Sequence, residues 1–312
     1  MKKLEKSVCY DEYWRFAYAR QLRYVAKKTS TKIEHIDPIL DQYKFTNCYR
    51  ATDRVSQYLI KNITNCKSTS RDDVFFRILI FKIFNKISTW ELLESKIGNI
   101  CASRFNINEY TKYLNELKED RQKIYSAAYI MPSGMQYGSN IKHVNNLRMI
   151  QQLLDSDTAS KVWGASSLEE IYQIFIRVPS IGKFLALQLA IDCAYSSYST
   201  AEESQFVIAG PGAERGIKKC FPTATPDEFT RIISHMHETQ ESEFKRLGLN
   251  FHYLESRKLQ LIDCQNIFCE LDKYLRVKLP EFNIETTRIK QLYKPNKSTI
   301  SFELPHKWTR EN

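Results

Sequence analysis

The sequence has few of the residues that punctuate a chain: its 312 residues include only 9 Gly and 9 Pro, with no low-complexity tract. Sandwiches and barrels need frequent turn residues, so this scarcity favours long helices. No apolar run approaches the roughly 18 residues that read as a membrane span. Residues 1–6 carry no secretory signal, and the 8 Cys include no CxxC pair. The expected setting is therefore the reducing cytosol. A P-loop and a dinucleotide fingerprint are also missing, which argues against nucleotide hydrolysis and NAD binding. His235 and His237 form one HxH, with Cys220 or His252 as further ligands. Without a paired-cysteine motif it is too weak a set for zinc, so neither metal nor cofactor is expected.

What remains is an ordinary globular composition, 43% apolar and 26% charged. The length suits one large domain or two intimate lobes, divided as 1–155 and 156–312 within one integrated unit. The net charge of +10 is lopsided: residues 1–150 hold 26 Lys and Arg against 15 Asp and Glu, while residues 151–312 hold 20 against 21. A basic N-terminal half is the footprint of a polyanion-binding face, although a solvated basic surface gives the same count. Helical spacing predicts helices over 10–28, 47–63, 71–96 with a break near 85–88, 108–129 and 142–155, with 131–140 as a loop. Aromatic and basic residues alternate over 10–90. Aromatics of this kind stack on unpaired bases or, more commonly, form the core stripe of helices.

Residues 167–195 carry more information. A helix opening at Ser166 or Ser167 ends at Pro179, and Pro179-Ser180-Ile181-Gly182 turns into a second helix. In such a hairpin Gly182 lets backbone amides approach a phosphate, with Ser180 and Lys183 beside it and the helix dipole behind. The competing reading is a plain turn between core helices. From 184 to 195 only Gln188 and Asp192 are polar, four residues apart on one face. A carboxylate on so apolar a helix is costly unless paired, so Asp192 serves a site or a salt bridge to an arginine of the N-terminal half.

Next, a β-like run at 205–209 leads into Gly210-Pro211-Gly212-Ala213, followed by Arg215, Gly216, Lys218 and Lys219. That order fits an amide nest for phosphate or a simple turn and helix. Residues 256–277 predict a strong helix on which Asp263, Asn266, Glu270 and Lys273 form one polar stripe. The stripe suits acid–base chemistry, base-edge reading or a solvated face. A short strand is expected at 298–303.

Taken together, Tyr49-Arg50-Ala51-Thr52-Asp53-Arg54, Phe84-Asn85 with Thr89-Trp90-Glu91, PSIGKFLALQLAID, AGPGAERGI and DCQNIFCELDKYLR resemble one family. It is the alpha-glutamyl/putrescinyl-thymine pyrophosphorylase family, whose helical domain also accompanies 5-hydroxymethyluracil DNA kinases. The resemblance spans roughly 40–280 and rests on the joint order of the motifs. It implies a mostly α, two-lobed, helix-hairpin-helix DNA glycosylase-like fold with minor β, and double-stranded DNA carrying modified pyrimidines as partner. A membrane is not implied, and a monomer is the simplest expectation.

On that resemblance a flipped base would meet Gln188, Asn266, Asn85 and Tyr49. The DNA backbone or a phosphate would meet Ser180, Gly182, Lys183, Gly210, Gly212, Arg215, Lys218, Arg50, Arg54 and Lys273. Glycosylases of this fold place an Asp about twenty residues beyond the hairpin glycine, where this chain has Glu202, Glu203 and then Gly210. The catalytic carboxylate would therefore be Asp192, Glu203 or Glu270, or the glycosylase chemistry is absent. The first expectation is an N-glycosylase for bulky 5-hydroxymethyl-derived bases, serving in defence against phages. The second is a transferase that displaces pyrophosphate from a phosphorylated 5-hydroxymethyluracil with an amine, gripping the leaving group with Arg215, Lys218 and Lys219. The third is a module that binds modified DNA without chemistry.

Overall fold

The computed structural model describes residues 5–31, 37–66, 70–284, 286–289, 291–294 and 302–309. It is mostly helical. In chain order the helices are α1 (Cys9–Thr29), α2 (Pro38–Gln42), α3 (Arg54–Leu59), α4 (Arg71–Phe84), α5 (Ile87–Ile97), α6 (Ile107–Glu119) and α7 (Lys142–Asp155). They continue with α8 (Thr158–Gly164), α9 (Leu168–Ile176), α10 (Lys183–Ala194), α11 (Pro211–Cys220), α12 (Phe229–Arg246) and α13 (Leu261–Lys278). Among the described residues, β pairing is limited to isolated bridges, Tyr43 with Leu292 and Leu254 with Arg257. The expected strand at 298–303 lies mostly outside the described residues, and 302–303 are not strand. No described helix is long and apolar enough to cross a membrane.

The chain forms two compact units, one of Met1–Asp53 with Phe206–Thr299, the other of Arg54–Gln205 with Ile300–Asn312. The expected division after residue 155 falls inside the second unit, between α7 and α8. In the first unit, α1 lays its aromatic face on α13. Tyr13 meets Phe268 at 4.5 Å between ring centroids, Phe16 stacks on Tyr274 at 4.5 Å, and Trp14 meets Phe244 of α12 at 5.0 Å. These rings are core, which removes them from any base-stacking role.

In the second unit α4 is buried along its whole length from Val74 to Phe84, which accounts for its apolar run. It packs on several sides against α5, α7, α8 and α10. Ser70 caps it, its hydroxyl accepting from the Asp73 amide at 3.1 Å. α9 and α10 form the expected helix pair. Ser167 caps α9 by accepting from the Glu170 amide, and the turn between the helices places Ser180 in the left-handed region at φ 72°.

Three predicted helices are shorter than their apolar pattern. The 47–63 stretch is a 3-10 turn at Arg50–Thr52, then α3, then a π turn at Ile60–Thr64. It breaks because Asp53 is extended and its carboxylate accepts from the Asn47 amide at 2.8 Å. The 256–277 helix starts at Leu261, since Glu255 and Ser256 are both left-handed. The 108–129 helix stops at Glu119.

Candidate functional site

In the first unit the polar stripe of α13 is covered by residues 46–53. Asp263 accepts from the Arg50 amide at 2.7 Å and from the Gln260 amide at 2.8 Å, so it caps its own helix while fixing the covering segment. Asn266 donates to the Thr46 hydroxyl at 3.0 Å and to the Asn47 carbonyl at 3.3 Å. Glu270, 3% exposed, accepts from the Thr46 amide at 3.3 Å and pairs with Lys273. Arg20 of α1 closes the group, its Nε donating to the Thr46 carbonyl at 2.8 Å and its Nη2 to the Asn47 carbonyl at 2.6 Å. The stripe is thus a buried tie rather than a solvated face, and Thr46, Asn47, Asp53, Asn266 and Lys273 are its half-buried rim.

Charge is mixed here, with Arg20, Arg50 and Lys273 facing Asp53, Asp263 and Glu270. Desolvation raises the Asp53 carboxyl to about 6, against the Asn47 amide and the Arg50 and Arg20 charges, which pull it down. Burial alone would lower the Lys273 ammonium, but Glu270 and Cys269 together offset it and leave Lys273 above its ordinary value. A carboxylate that titrates near neutrality beside fixed cations can accept a proton while they hold an anion.

The glycine motif has a different use from the one expected. Gly210 caps α11, and Gly212 and Gly216, one turn apart, face α13. A Cβ on Gly216 would lie 2.1 Å from the Phe268 carbonyl oxygen, and one on Gly212 would lie 2.4 Å from Cys269 Sγ. The glycines let two helices approach closely. Arg215 and the buried Lys219 both pair with Asp272, each at 3.1 Å, and Arg276 joins them at 2.6 Å. Together these cations hold Asp272 below the usual carboxylate range even though burial alone would raise it. That leaves Lys218 as the exposed cation of the motif. Tyr49 is likewise structural: only 2% exposed, it donates to the Arg257 carbonyl and accepts from the Leu254 amide at 3.2 Å.

The second unit gathers another polar cluster. Asp192 of α10 is ion-paired at 2.7 Å with Lys82 of α4, and the two side chains are 1% and 3% exposed. The partner sought among arginines is a lysine. Gln188, one turn before Asp192, accepts from the Tyr129 hydroxyl at 3.1 Å, and Lys82 Nζ stands 5.4 Å from the Tyr129 ring centre. Asn85, three residues after Lys82, ends α4 in the left-handed conformation and is 4% exposed. Glu203 is held elsewhere, accepting from the Tyr195 hydroxyl at 2.8 Å. On the hairpin, Gly182 and Lys183 are exposed and Ser180 is half-buried. Gly182 has ordinary backbone angles and nothing within 4 Å of an added Cβ. Arg54 is exposed at the start of α3.

Sequence reasoning missed Lys82, Tyr129, Arg20, Thr46 and Asn47, and left Asp53 without a role. Lys82 had a signal, being one of only two charged residues, with Arg77, in the run FFRILIFKIF. A surface depression of about 740 Å³ beside α8 and α9, lined in part by Lys161, Glu169 and Arg177, includes none of these residues. Among the described residues no group of three or more His, Cys, Asp or Glu is arranged to hold a metal ion.

The profile of the family described as "5-hmdU DNA kinase, helical domain" matches residues 7–284. The 5-hmdU DNA kinase of Bacillus phage SP10 is 25% identical over 258 residues, covering 76% of this chain and 40% of that protein. The chain therefore spans less than half the length of that relative. No solved structure matches. These findings overturn the expectation of a glycosylase, a hydrolase of the N-glycosyl bond, because the named relative is a kinase and therefore a transferase. Asp192, Glu203 and Glu270 are each buried and already engaged.

Proposed function

This chain belongs to the family of 5-hmdU DNA kinase helical domains, and from that premise we propose that it is a transferase component acting at the 5-hydroxymethyl-derived substituent of uracil in DNA. The observation that carries this reading is the rim of the first unit, where Asp53 is poised near neutrality beside Arg50 and Arg20. Transfer to or at a 5-hydroxymethyl group requires removal of a proton from the attacking atom. That atom is the hydroxyl oxygen if phosphate is added, or an amine nitrogen if a phosphorylated substituent is displaced. In either case Asp53 accepts the proton, and the cations offset negative charge on the phosphoryl or pyrophosphoryl group. Without a P-loop of its own, the chain takes an already activated group or works beside a further segment, as its 40% coverage of the relative accommodates.

DNA containing modified uracil is the natural partner of such a protein, and the α9–α10 turn is a candidate for backbone binding of the helix-hairpin-helix kind. Its first-turn amides have no side-chain cap, and Gly182 leaves them approachable. That same coverage favours one second reading, a module that recognises modified DNA for chemistry performed elsewhere.

The test uses duplex DNA containing 5-hydroxymethyluracil with γ-labelled ATP, and duplex containing its pyrophosphorylated form with a primary amine. Digested nucleosides are read by mass spectrometry. Phosphoryl or amine addition that disappears in Asp53→Asn supports the transferase. Tight binding with unchanged nucleosides on both substrates supports the recognition module instead.

A further inference from the structure

The second unit has a surface that the chemistry above leaves unused. Residues 121–154 contain no Asp or Glu but hold Arg121, Lys123, Lys142 and Arg148, and residues 177–191 add Arg177 and Lys183, again without an acid. The two stretches are joined. The Tyr137 hydroxyl donates to the Pro179 carbonyl at 3.1 Å, Gln136 is hydrogen-bonded to Ser180, and the Tyr129 ring lies edge-on to Phe184 at 5.1 Å. Arg148 reaches back to the Tyr137 carbonyl at 2.7 Å. The loop before α7 is thus fastened to the α9–α10 turn, and neither stretch contributes an acid to the joined surface.

That face also exposes large apolar side chains: Ile130 at 101% and Met135 at 70%, with Ile141 and Phe184 partly exposed. Exposed apolar groups on stretches whose only formal charges are cations fit a partner that is polyanionic outside and apolar within. Duplex DNA has that character, with phosphates along its edges and stacked bases between them.

We propose that this face grips duplex DNA and that Ile130 and Met135 enter the base stack, filling the space left when the target nucleotide turns out. Lys142 and Lys183 hold the flanking phosphates. The proposal rests on the DNA-directed reading above, which it deepens by naming the surface that opens the helix.

Duplexes bearing a single 5-hydroxymethyluracil beside 2-aminopurine provide the test. Anisotropy reports binding at 50 and 200 mM salt, and 2-aminopurine fluorescence reports unstacking. Wild-type protein is expected to bind and to raise the fluorescence. Ile130→Ala/Met135→Ala, both on exposed side chains, should lose most of the rise while keeping affinity within about fivefold. Lys142→Glu/Lys183→Glu should bind at least tenfold more weakly, with the salt slope reduced by about one for each phosphate no longer held. An unchanged fluorescence rise in the alanine pair, or unchanged affinity in the glutamate pair, overturns the proposal. So does co-sedimentation with phosphatidylglycerol vesicles in place of DNA, or a wild-type dimer that Ile130→Asp dissolves. Wild-type modification of nucleosides is scored in parallel. If it persists while these variants behave as wild type, only the surface is wrong; if wild type neither binds nor modifies DNA, the DNA-directed reading falls as well.

Discussion

The Lys82–Asp192 pair allows a sharp test of what α10 does. Both side chains are nearly sealed from solvent and stand 2.7 Å apart. Asp192→Asn keeps the shape, so no cavity forms, but it strands an ammonium in the apolar interior made by α4 and α10. Breaking a buried pair in this way costs about 3–5 kcal/mol, whereas replacing both partners with apolar side chains is often neutral or stabilising by about 1–4 kcal/mol. Asp192→Asn and Lys82→Met should therefore each destabilise the second unit by about that larger amount, and Lys82→Met/Asp192→Leu should recover most of it. Of the 4 Trp, only Trp14 lies in the first unit. A Trp14→Phe background thus lets tryptophan fluorescence follow the second unit alone through urea unfolding. A single-variant loss below about 1 kcal/mol, or a double variant no better than the singles, would refute the reasoning. The refolded double variant then separates roles. If it retains activity, Asp192 is structural; if it loses activity without losing stability, the pair takes part in the chemistry.

Further outcomes follow from the first unit. Gly216→Ala should cost about 1–3 kcal/mol or more, because its Cβ meets the Phe268 backbone oxygen; Gly212→Ala should cost less, since Cys269 Sγ can rotate away, and thermal melts will rank them. Activity should fall as pH drops through about 6, where Asp53 takes up its proton, and whatever residual activity Asp53→Asn keeps should lack that limb of the pH–rate profile. The same group has a stability signature. Its folded value lies above that of a free aspartate, so its contribution is complete below about pH 4 and is lost as pH rises to about 6, a dependence that Asp53→Asn should flatten in urea titrations. Tyr49→Phe should cost about 1–3 kcal/mol by leaving the Leu254 amide without its acceptor, with DNA affinity in anisotropy titrations unaltered.

The helices were largely legible because their signals are local. The 142–155 helix and the cap at Ser167 follow from spacing and side-chain chemistry within a few residues. Partners remote in sequence were not legible. Nothing near Asp263 announces that it receives the Arg50 amide, and nothing near Gly216 reveals the Phe268 carbonyl that forbids a side chain there. The glycine-rich stretch was ambiguous for the same reason, since helix packing and phosphate binding both select glycine and only the neighbour reveals the packing. Asp192 was recognised as anomalous, but its counterion lay 110 residues away in a run of phenylalanine and isoleucine. The broken 47–63 helix was hidden because its break depends on a carboxylate folding back to Asn47, an interaction that apolar periodicity does not record.

The interrupted layout of the first unit has a consequence for how the nascent chain matures. Its α1 rests on α13, with the Tyr13 hydroxyl bonded to the Cys264 carbonyl across 251 residues of sequence. At roughly 5–20 residues per second, the ribosome takes about 12–50 s to supply that partner. Until α11 and α12 emerge the aromatic face of α1 is uncovered, while 54–205 is a continuous stretch that can collapse as it emerges. Residues 54–205 can thus gather their core early, the unit that holds Asp53 closes when α13 arrives, and residues 302–309 dock on the second unit last. Ribosome-stalled chains ending before residue 261 should expose α1 to protease, and those that have released α13 should protect it.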